Sequence, residues 1–191
     1  NAVHSEVDAV QIAGLSRTMD WSSVLAGVDA VIHCAARVHV LNDSSTDPLA
    51  EFRNVNTHAT LHLAKQAAES GVKRFIFISS IKVNGEITHA KGPFKPTDSF
   101  VPYDPYGLSK YEAEQGLLKI AQETGLEVVI IRPPLVYGPG VKANFLSLLR
   151  WVHKGLPLPL GMINNKRSFV ALAVSGDLMC VCIDHPNAKD Q

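Results

Sequence analysis

Short hydrophobic runs alternate along the chain with longer segments of helical period. Three runs rich in Val, Ile and Phe cover Ala30–Cys34, Arg74–Ser79 and Glu127–Arg132. Strands that are apolar at nearly every position are buried on both faces, which is typical of a parallel sheet covered by helices. The weaker run Val7–Ile12 predicts one more strand near the start of the chain.

Capping residues mark the helices between these strands. Asp20, Asp47 and Asp104 each precede a helical segment and can accept hydrogen bonds from its free N–H groups, and Asn144 can do the same for a fourth. The predicted helices cover residues 21–26, 48–70, 105–124 and 145–154. In the second of them, apolar residues that step by three or four predict one buried face: Phe52, Val55, Ala59, Leu63 and Ala67.

The alternation of strands and helices predicts the fold class. Strand–helix order repeated four times is typical of an α/β protein with a doubly wound parallel sheet of the Rossmann type. The segment Val83–Tyr103, rich in Gly and Pro, is predicted to be a long loop between a strand and a helix. Long loops at the carboxyl ends of such strands usually line the functional site.

Composition narrows the class of partner. The 191 residues carry 18 Lys+Arg against 18 Asp+Glu, with no basic block, so we expect no nucleic-acid partner. No apolar run reaches the ~18 residues that a membrane span requires, so we expect no membrane partner. The three cysteines are an odd number, which favours reduced thiols and a cytoplasmic location.

Tyr106 and Lys110 form the first candidate catalytic pair. Residues four apart share one face of a helix, and an ammonium beside a tyrosine favours the phenolate, which is the form that can act as a base. Ser79 and Ser80 end the preceding strand, at the edge where ligands bind in α/β sheets. A serine there can bind a substrate hydroxyl while the tyrosine takes its proton.

With these motifs in order, the sequence resembles the extended short-chain dehydrogenase/reductases, in the branch of NAD-dependent sugar epimerases and dehydratases. The likeness extends from about Val7 to the end of the chain. It rests on six segments: Gly27-Val-Asp-Ala-Val-Ile-His-Cys-Ala-Ala36, Val55-Asn56, Gly71-Val-Lys-Arg-Phe-Ile-Phe-Ile-Ser-Ser80, Tyr106-Gly-Leu-Ser-Lys110, Arg132-Pro-Pro-Leu-Val-Tyr-Gly-Pro-Gly140 and Arg167-Ser-Phe-Val170. Two shorter stretches, 79–85 and 156–161, look like bacterial UDP-sugar 4-epimerases of surface-polysaccharide pathways.

The resemblance implies a role for each matching residue. Tyr106 would be the acid/base, Lys110 would hold the nicotinamide ribose, and Ser80 would bind the reacting hydroxyl. The implied cofactor is NAD, with NADP not separated from it, and the remaining cofactor-binding positions would be Ala35, Ala36, Asn56, Ser79 and Pro133. The substrate diphosphate would meet Asn144 and Arg167, and Leu158 and Leu160 could flank the uracil or be plain core.

The implied function is a nucleotide-sugar 4-epimerase of the UDP-glucose or UDP-N-acetylglucosamine type, which works through a transient 4-keto sugar. A homodimer is the implied assembly. Family dehydratases carry an acidic pair where this chain has Ile81 and Lys82, which disfavours dehydration. Two alternatives stay open: an NAD(P)-dependent reductase or dehydrogenase of the same family, and an inactive Rossmann-like fragment that holds no cofactor.

Three departures from the family pattern bear on the cofactor and the substrate. The G-x-G-x-x-G fingerprint that seats a pyrophosphate is absent from the sequence, and we expect it to precede Asn1 together with the first β-α unit. Gly14 stands where relatives often carry an acidic residue for the adenine, and Leu135 where many carry Asn. The expected division is a partial dinucleotide-binding domain over 1–141 and the start of a substrate-binding region over 142–191.

Three rival motifs predict other chemistry but lack their partners. Ser79-Ser-Ile-Lys82 matches S-x-x-K without the companion motifs of serine acylation. His58 and His62 have the spacing of a zinc site, but Ala59 replaces the glutamate of H-E-x-x-H. Cys180 and Cys182 point to opposite sides of a helix, so we interpret them as packing residues and expect no metal.

Overall fold

The computed structural model describes residues 7–38, 45–88, 92–98, 100–141, 143–155, 157 and 166–189, without the side chains of residues 143 and 144. Leu158 and Leu160 lie outside the described residues. The chain forms two compact units. The first comprises Asn1–Arg132 with His185–Gln191, and the second comprises Pro133–Asp184. Arg132 therefore ends the main part of the first unit earlier than the expected boundary after residue 141.

A three-stranded parallel sheet organises the first unit. The strands are β1 (Ala30–His33), β2 (Arg74–Ile78) and β3 (Glu127–Ile131), in the order β1-β2-β3. All three lie within the predicted runs, so the α/β class with a parallel sheet is confirmed. Arg74 aligns with Ala30 on one side and Glu127 on the other, so the three strands begin together and their carboxyl ends meet at one edge.

Helices cover this sheet. The short α1 is Ser22–Leu25, and a long helix follows β1 in three parts: α2 (Pro48–Phe52), a π-helical turn (Arg53–Ala59) and α3 (Thr60–Glu69). After β2 comes a 3-10 turn, Ile81–Val83, and then α4. Helix α4 is Pro105–Thr124, and Gly125 ends it with a φ of 78°, a left-handed conformation that favours glycine.

The core of the first unit lies between this sheet and α3 and α4. Its fully buried members include Phe75 and Phe77 of β2, Ala64 of α3 and Leu117 of α4. The near-continuous apolar pattern of β2 agrees with its central place in the sheet, where four of its five residues are buried.

The second unit has its own small sheet. Strand β4 (Leu135–Tyr137) pairs in parallel with β5 (Phe169–Ala171), and the helices are α5 (Ala143–His153) and α6 (Leu172–Asp184). Neither strand is predicted from the sequence, because each is only three residues long. A short 3-10 turn, Pro186–Ala188, belongs to the first unit.

Three local predictions differ from the structure. Val7–Ile12 is not a strand: no described strand pairs with it, and Val7 and Val10 are largely exposed. The π-helical turn changes the buried face of the second helix, so that Asn56 is buried where Val55 is only half-buried. Helix α5 begins at Ala143, so Asn144 is its second residue and not the residue that precedes it.

Candidate active site

Helix α4 brings Tyr106 and Lys110 to the carboxyl edge of the sheet. The Asp104 carboxylate accepts a hydrogen bond from the Gly107 N–H at 3.0 Å and so caps the first turn. Pro105 occupies the first helical position, where a missing N–H costs nothing. Tyr106 and Lys110 therefore lie in the first two turns of a helix whose start is fixed by its own sequence.

Lys110 is buried, with 1% of its surface exposed. Its Nζ donates to the main-chain oxygen of Ile78 at 2.8 Å and lies 4.5 Å from the centre of the Phe77 ring. Burial lowers the pKa of Lys110 to about 8, against a smaller opposing effect of Glu114. An ammonium has three donors, and Ile78 is the one hydrogen-bond acceptor that Lys110 has within the described ranges. The other donors fit the hydroxyls of a nicotinamide ribose.

Tyr106 is half-buried and meets the ring of Phe52 edge-on, with 6.2 Å between the ring centres. Burial raises its pKa, a hydrogen bond with the Ser80 side chain lowers it, and the Asp104 charge raises it. The net shift is upward, opposite to the one expected from an adjacent ammonium. The largest cause is the burial of the phenol, and the Lys110 ammonium donates to the Ile78 carbonyl.

Ser80 lies at the end of β2 and begins the 3-10 turn. Its hydroxyl oxygen accepts from the Lys82 N–H at 3.3 Å, and its side chain hydrogen-bonds Tyr106. Ser79, one residue earlier, points the other way: it is 3% exposed and its hydroxyl donates to Glu114. Of the two predicted serines, Ser80 therefore meets Tyr106, and the Ser79 hydroxyl is engaged in the protein interior.

Asn56 holds the loop that follows β1. Its side-chain oxygen accepts from the Arg37 N–H at 2.8 Å, and its amide donates to the Arg37 oxygen at 3.0 Å and to the Ser109 hydroxyl at 3.0 Å. Ala35 is exposed and Ala36 half-buried on the segment just before Arg37. Two small side chains on a held, open segment fit the close approach of a dinucleotide.

The other predicted site residues belong to the second unit. Pro133 is half-buried ahead of β4, and Arg167 is exposed ahead of β5. Asn144 is placed in α5, and its side chain is outside what is described. The structure thus brings together Ser80, Tyr106, Lys110 and Asn56 within the first unit.

A buried polar cluster beside this site is missed by the sequence reasoning. Glu114 is fully buried one turn after Lys110, and its carboxylate receives hydrogen bonds from Arg132 and Ser79. A charge on the buried face of a helix requires a partner, and that requirement was the available signal. Asn84 joins the same cluster through Arg132.

The rival motifs find other partners. Lys82 of the S-x-x-K motif pairs with Asp104 at 3.3 Å, and His62 contacts the Met19 oxygen at 2.9 Å. No group of three potential metal ligands occurs among the residues with described positions. Cys180 is exposed and Cys182 buried, as expected for opposite sides of one helix, and none of the three cysteines forms a disulfide within the described part of the chain.

A parallel α/β sheet that carries Ser80, Tyr106 and Lys110 at its carboxyl edge defines the class of short-chain dehydrogenase/reductases. The chain belongs to the NAD dependent epimerase/dehydratase family, whose sequence profile matches residues 2–191. The family expected from the six segments is thereby confirmed.

Three relatives show the extent of the similarity. The chain is 54% identical over 182 residues to a UDP-glucose 4-epimerase of Vibrio cholerae, covering 95% of this chain and 56% of the relative. A UDP-N-acetylglucosamine 4-epimerase from Methanobrevibacter ruminantium M1, solved with UDP-N-acetylmuramic acid, has a TM-score of 0.76 at 25% identity over 92% of this chain and 57% of its own. The Streptomyces venezuelae dTDP-glucose 4,6-dehydratase DesIV, solved with NAD, has a TM-score of 0.65 at 30% identity, over 85% and 49%.

The chain spans about half the length of the curated relatives it matches. Within the ranges described, no helix has both the length and the apolar character needed to cross a membrane.

Proposed function

We propose that this chain carries the catalytic part of an NAD-dependent nucleotide-sugar 4-epimerase that acts on UDP-glucose or UDP-N-acetylglucosamine. The observation that carries the proposal is the placement of Ser80, Tyr106 and the buried Lys110 at the carboxyl edge of the sheet, where Lys110 donates to the Ile78 oxygen and the Ser80 side chain lowers the pKa of Tyr106. The 54% identity to a UDP-glucose 4-epimerase supports the same reaction.

Tyr106 moves the proton of the sugar hydroxyl. Its phenolate form takes that proton and returns it after the sugar has turned over, and the Ser80 hydroxyl stabilises the phenolate through their hydrogen bond. Because burial holds the pKa of Tyr106 above its ordinary value, the phenolate is the minor form at neutral pH. We therefore expect kcat to rise with pH on the alkaline side of neutrality.

Lys110, Ala35 and Ala36 are the residues that would hold the cofactor. The free donors of Lys110 suit ribose hydroxyls, and the alanines leave room beside β1. NAD⁺, when bound, supplies the hydride acceptor and donor that a change of configuration at carbon requires. Asn56 fixes the loop that carries the alanines, through its two hydrogen bonds to Arg37.

The two residues that follow Ser80 favour epimerisation over dehydration. The residues after Ser80 are Ile81 and Lys82, and the Lys82 ammonium pairs with Asp104 and Glu86. Elimination of water across C5 and C6 of the 4-keto sugar needs a base and an acid beside those carbons, and we do not assign either role to these two positions.

The finer parts of the proposal concern the substrate and its setting. Asn144 and Arg167 would bind the diphosphate of the sugar nucleotide, the latter by charge-assisted hydrogen bonds. The proposed enzyme also supplies sugars for surface polysaccharide, forms a homodimer and is located in the cytoplasm. The similar structure of a UDP-N-acetylglucosamine 4-epimerase, solved with UDP-N-acetylmuramic acid, supports a UDP-sugar as the substrate class of this proposal.

The test is epimerase activity of a tyrosine variant. With UDP-glucose and NAD⁺, Tyr106→Phe is expected to lower kcat at least about 10²-fold, the usual contribution of a positioned acid/base. Tyr111→Phe is the matched control, because Tyr111 is half-buried on the same helix and is not assigned a role in the proposed reaction. Product formation is followed by NMR. Turnover by Tyr106→Phe equal to that of Tyr111→Phe would refute the assignment.

A further inference from the structure

Arg132, the residue after β3, joins two parts of the first unit that are distant in sequence. Its Nε and Nη2 donate to the two carboxylate oxygens of Glu114 at 3.0 and 2.6 Å. Its Nη1 donates to the side-chain oxygen of Asn84 at 3.2 Å and to the main-chain oxygen of Pro96 at 3.0 Å. One guanidinium therefore links the catalytic helix α4 to the loop that follows Ser80.

The Glu114 end of this link is rigid. Glu114 is fully buried, and two parallel N–H···O bonds fix both the distance and the plane of the guanidinium. The Ser79 hydroxyl donates to the same carboxylate, which ties the end of β2 to the pair. Arg132 is thus held in one orientation, with Nη1 directed at the loop.

At the other end of this link, Asn84 and Arg132 donate hydrogen bonds to two consecutive main-chain carbonyl groups. Asn84 donates to the main-chain oxygen of Lys95 at 2.7 Å, and Arg132 takes that of Pro96. Lys95 and Asp98 close a turn on themselves, with the Lys95 N–H donating to the Asp98 carboxylate at 2.7 Å and the Asp98 N–H donating to the Lys95 oxygen at 3.1 Å. The segment 92–98 is therefore attached to the carboxyl edge of the sheet, where Ser80 lies.

We infer that Arg132 is a positioning residue that holds the segment 92–98 in place for the sugar nucleotide, an inference that rests on the proposed function. A segment ordered before binding costs no conformational entropy when the ligand arrives, so its attachment strengthens binding. Ser80, Tyr106 and Lys110 keep their own contacts without Nη1. Loss of the attachment therefore weakens substrate binding and leaves the chemical step intact.

The test compares Arg132→Lys with Arg74→Lys in the complete protein. Arg74 is the matched control: its Nε and Nη2 donate to Glu127, and its Nη1 donates to a main-chain oxygen, that of His185, at the opposite end of the same strands. For Arg132→Lys we expect KM for UDP-glucose to rise about tenfold, with kcat within about twofold, as for a few lost hydrogen bonds. The amides of Lys95 and Asp98 should exchange with deuterium about tenfold faster. Arg74→Lys should show neither effect.

For Arg132→Lys, an unchanged KM together with faster exchange would overturn the inference. A loss confined to kcat, or unchanged exchange of the Lys95 and Asp98 amides, would also overturn it. So would a rise of KM in Arg74→Lys equal to that in Arg132→Lys. If Arg132→Lys does not fold, Asn84→Ala decides, because it removes the bond to Lys95 and leaves the Glu114–Arg132 pair. Wild-type protein that turns over no UDP-sugar would refute the proposed function. The exchange measurement would then still decide whether Arg132 holds the segment.

Discussion

The side-chain amide of Asn56 donates a hydrogen bond to the hydroxyl of Ser109 at 3.0 Å, and so joins the π-helical turn to the catalytic helix. The Ser109 hydroxyl in turn donates to the main-chain oxygen of Tyr106 at 2.8 Å. Thr57 adds a bond from its hydroxyl to the Ser109 oxygen at 2.8 Å. Asn56 and Thr57 of the π-helical turn are thus hydrogen-bonded to Ser109 of α4, and Asn56 also holds the loop after β1.

Asn56→Ala tests this connection. The variant removes both hydrogen bonds to the half-buried main chain of Arg37 and the one to the Ser109 hydroxyl, which should cost about 3 kcal/mol of unfolding free energy. Asn54→Ala is the control, because Asn54 is exposed in the same helical turn and should change stability by less than about 0.5 kcal/mol. Urea unfolding measures both, and equal costs would contradict the role given to Asn56.

The three strands of the first unit and the helix caps Asp47 and Asp104 could be predicted because each depends on neighbours in sequence. Asp47 and Asp104 both accept the predicted hydrogen bond, from the N–H groups of Ala50 and Gly107. The π-helical turn could not be predicted, because the spacing of apolar residues was interpreted with the α-helical period of 3.6 residues along the whole helix. That assumption assigned Val55 to the buried face, and the wider turn buries Asn56 and Thr57 there.

The shared helix face of Tyr106 and Lys110 could also be predicted, whereas the electrostatics of the two side chains could not. The spacing of Tyr106 and Lys110 fixes a shared helix face, but the direction of the Lys110 ammonium depends on the Ile78 carbonyl and the Phe77 ring. The pairing of Glu114 with Arg132 joins a helix to the strand that follows it. No local spacing rule specifies that contact.

His33 provides a pH-dependent contribution to stability. It is 4% exposed, stacks on Phe77 and hydrogen-bonds the Thr60 hydroxyl at 2.8 Å; burial, with the Lys110 charge, lowers its pKa from 6.5 to about 4. A lowered pKa means that the unfolded chain binds the proton more readily, so stability is present above pH 6.5 and is lost as the pH falls towards 4. The full loss is about 3 kcal/mol.

The measurement is the free energy of unfolding at several pH values through that window. In His33→Gln this part of the pH dependence should disappear, while His58→Gln, which changes an exposed histidine, should keep it. A pH dependence that is the same in His33→Gln and in the wild type would show that another group causes it.

Gly116 of α4 faces Leu61 of α3. A Cβ built there would lie 2.6 Å from both terminal carbons of Leu61, so Gly116→Ala should destabilise the protein by about 1–3 kcal/mol through overpacking. Gly176→Ala is the control: no described atom lies within 4 Å of its Cβ, and alanine should stabilise α6 by up to about 1 kcal/mol.

A second substitution isolates the contact. Adding Leu61→Ala to Gly116→Ala removes the clash, so the double variant should be more stable than the sum of the two single changes predicts. Thermal unfolding of the four proteins gives the coupling. Strict additivity would indicate that the two helices separate instead of packing as described.

The proposed epimerisation is tested most directly by the fate of the hydrogen at C4 of the sugar. UDP-glucose deuterated at C4 is incubated with the protein and NAD⁺, and the product is examined by NMR. If Ser80, Tyr106 and Lys110 perform the reaction proposed, the product is the C4 epimer, and it retains deuterium at C4 because the hydride leaves and returns within one site. A 4-keto-6-deoxy product, or an epimer that has lost deuterium to water, would contradict it.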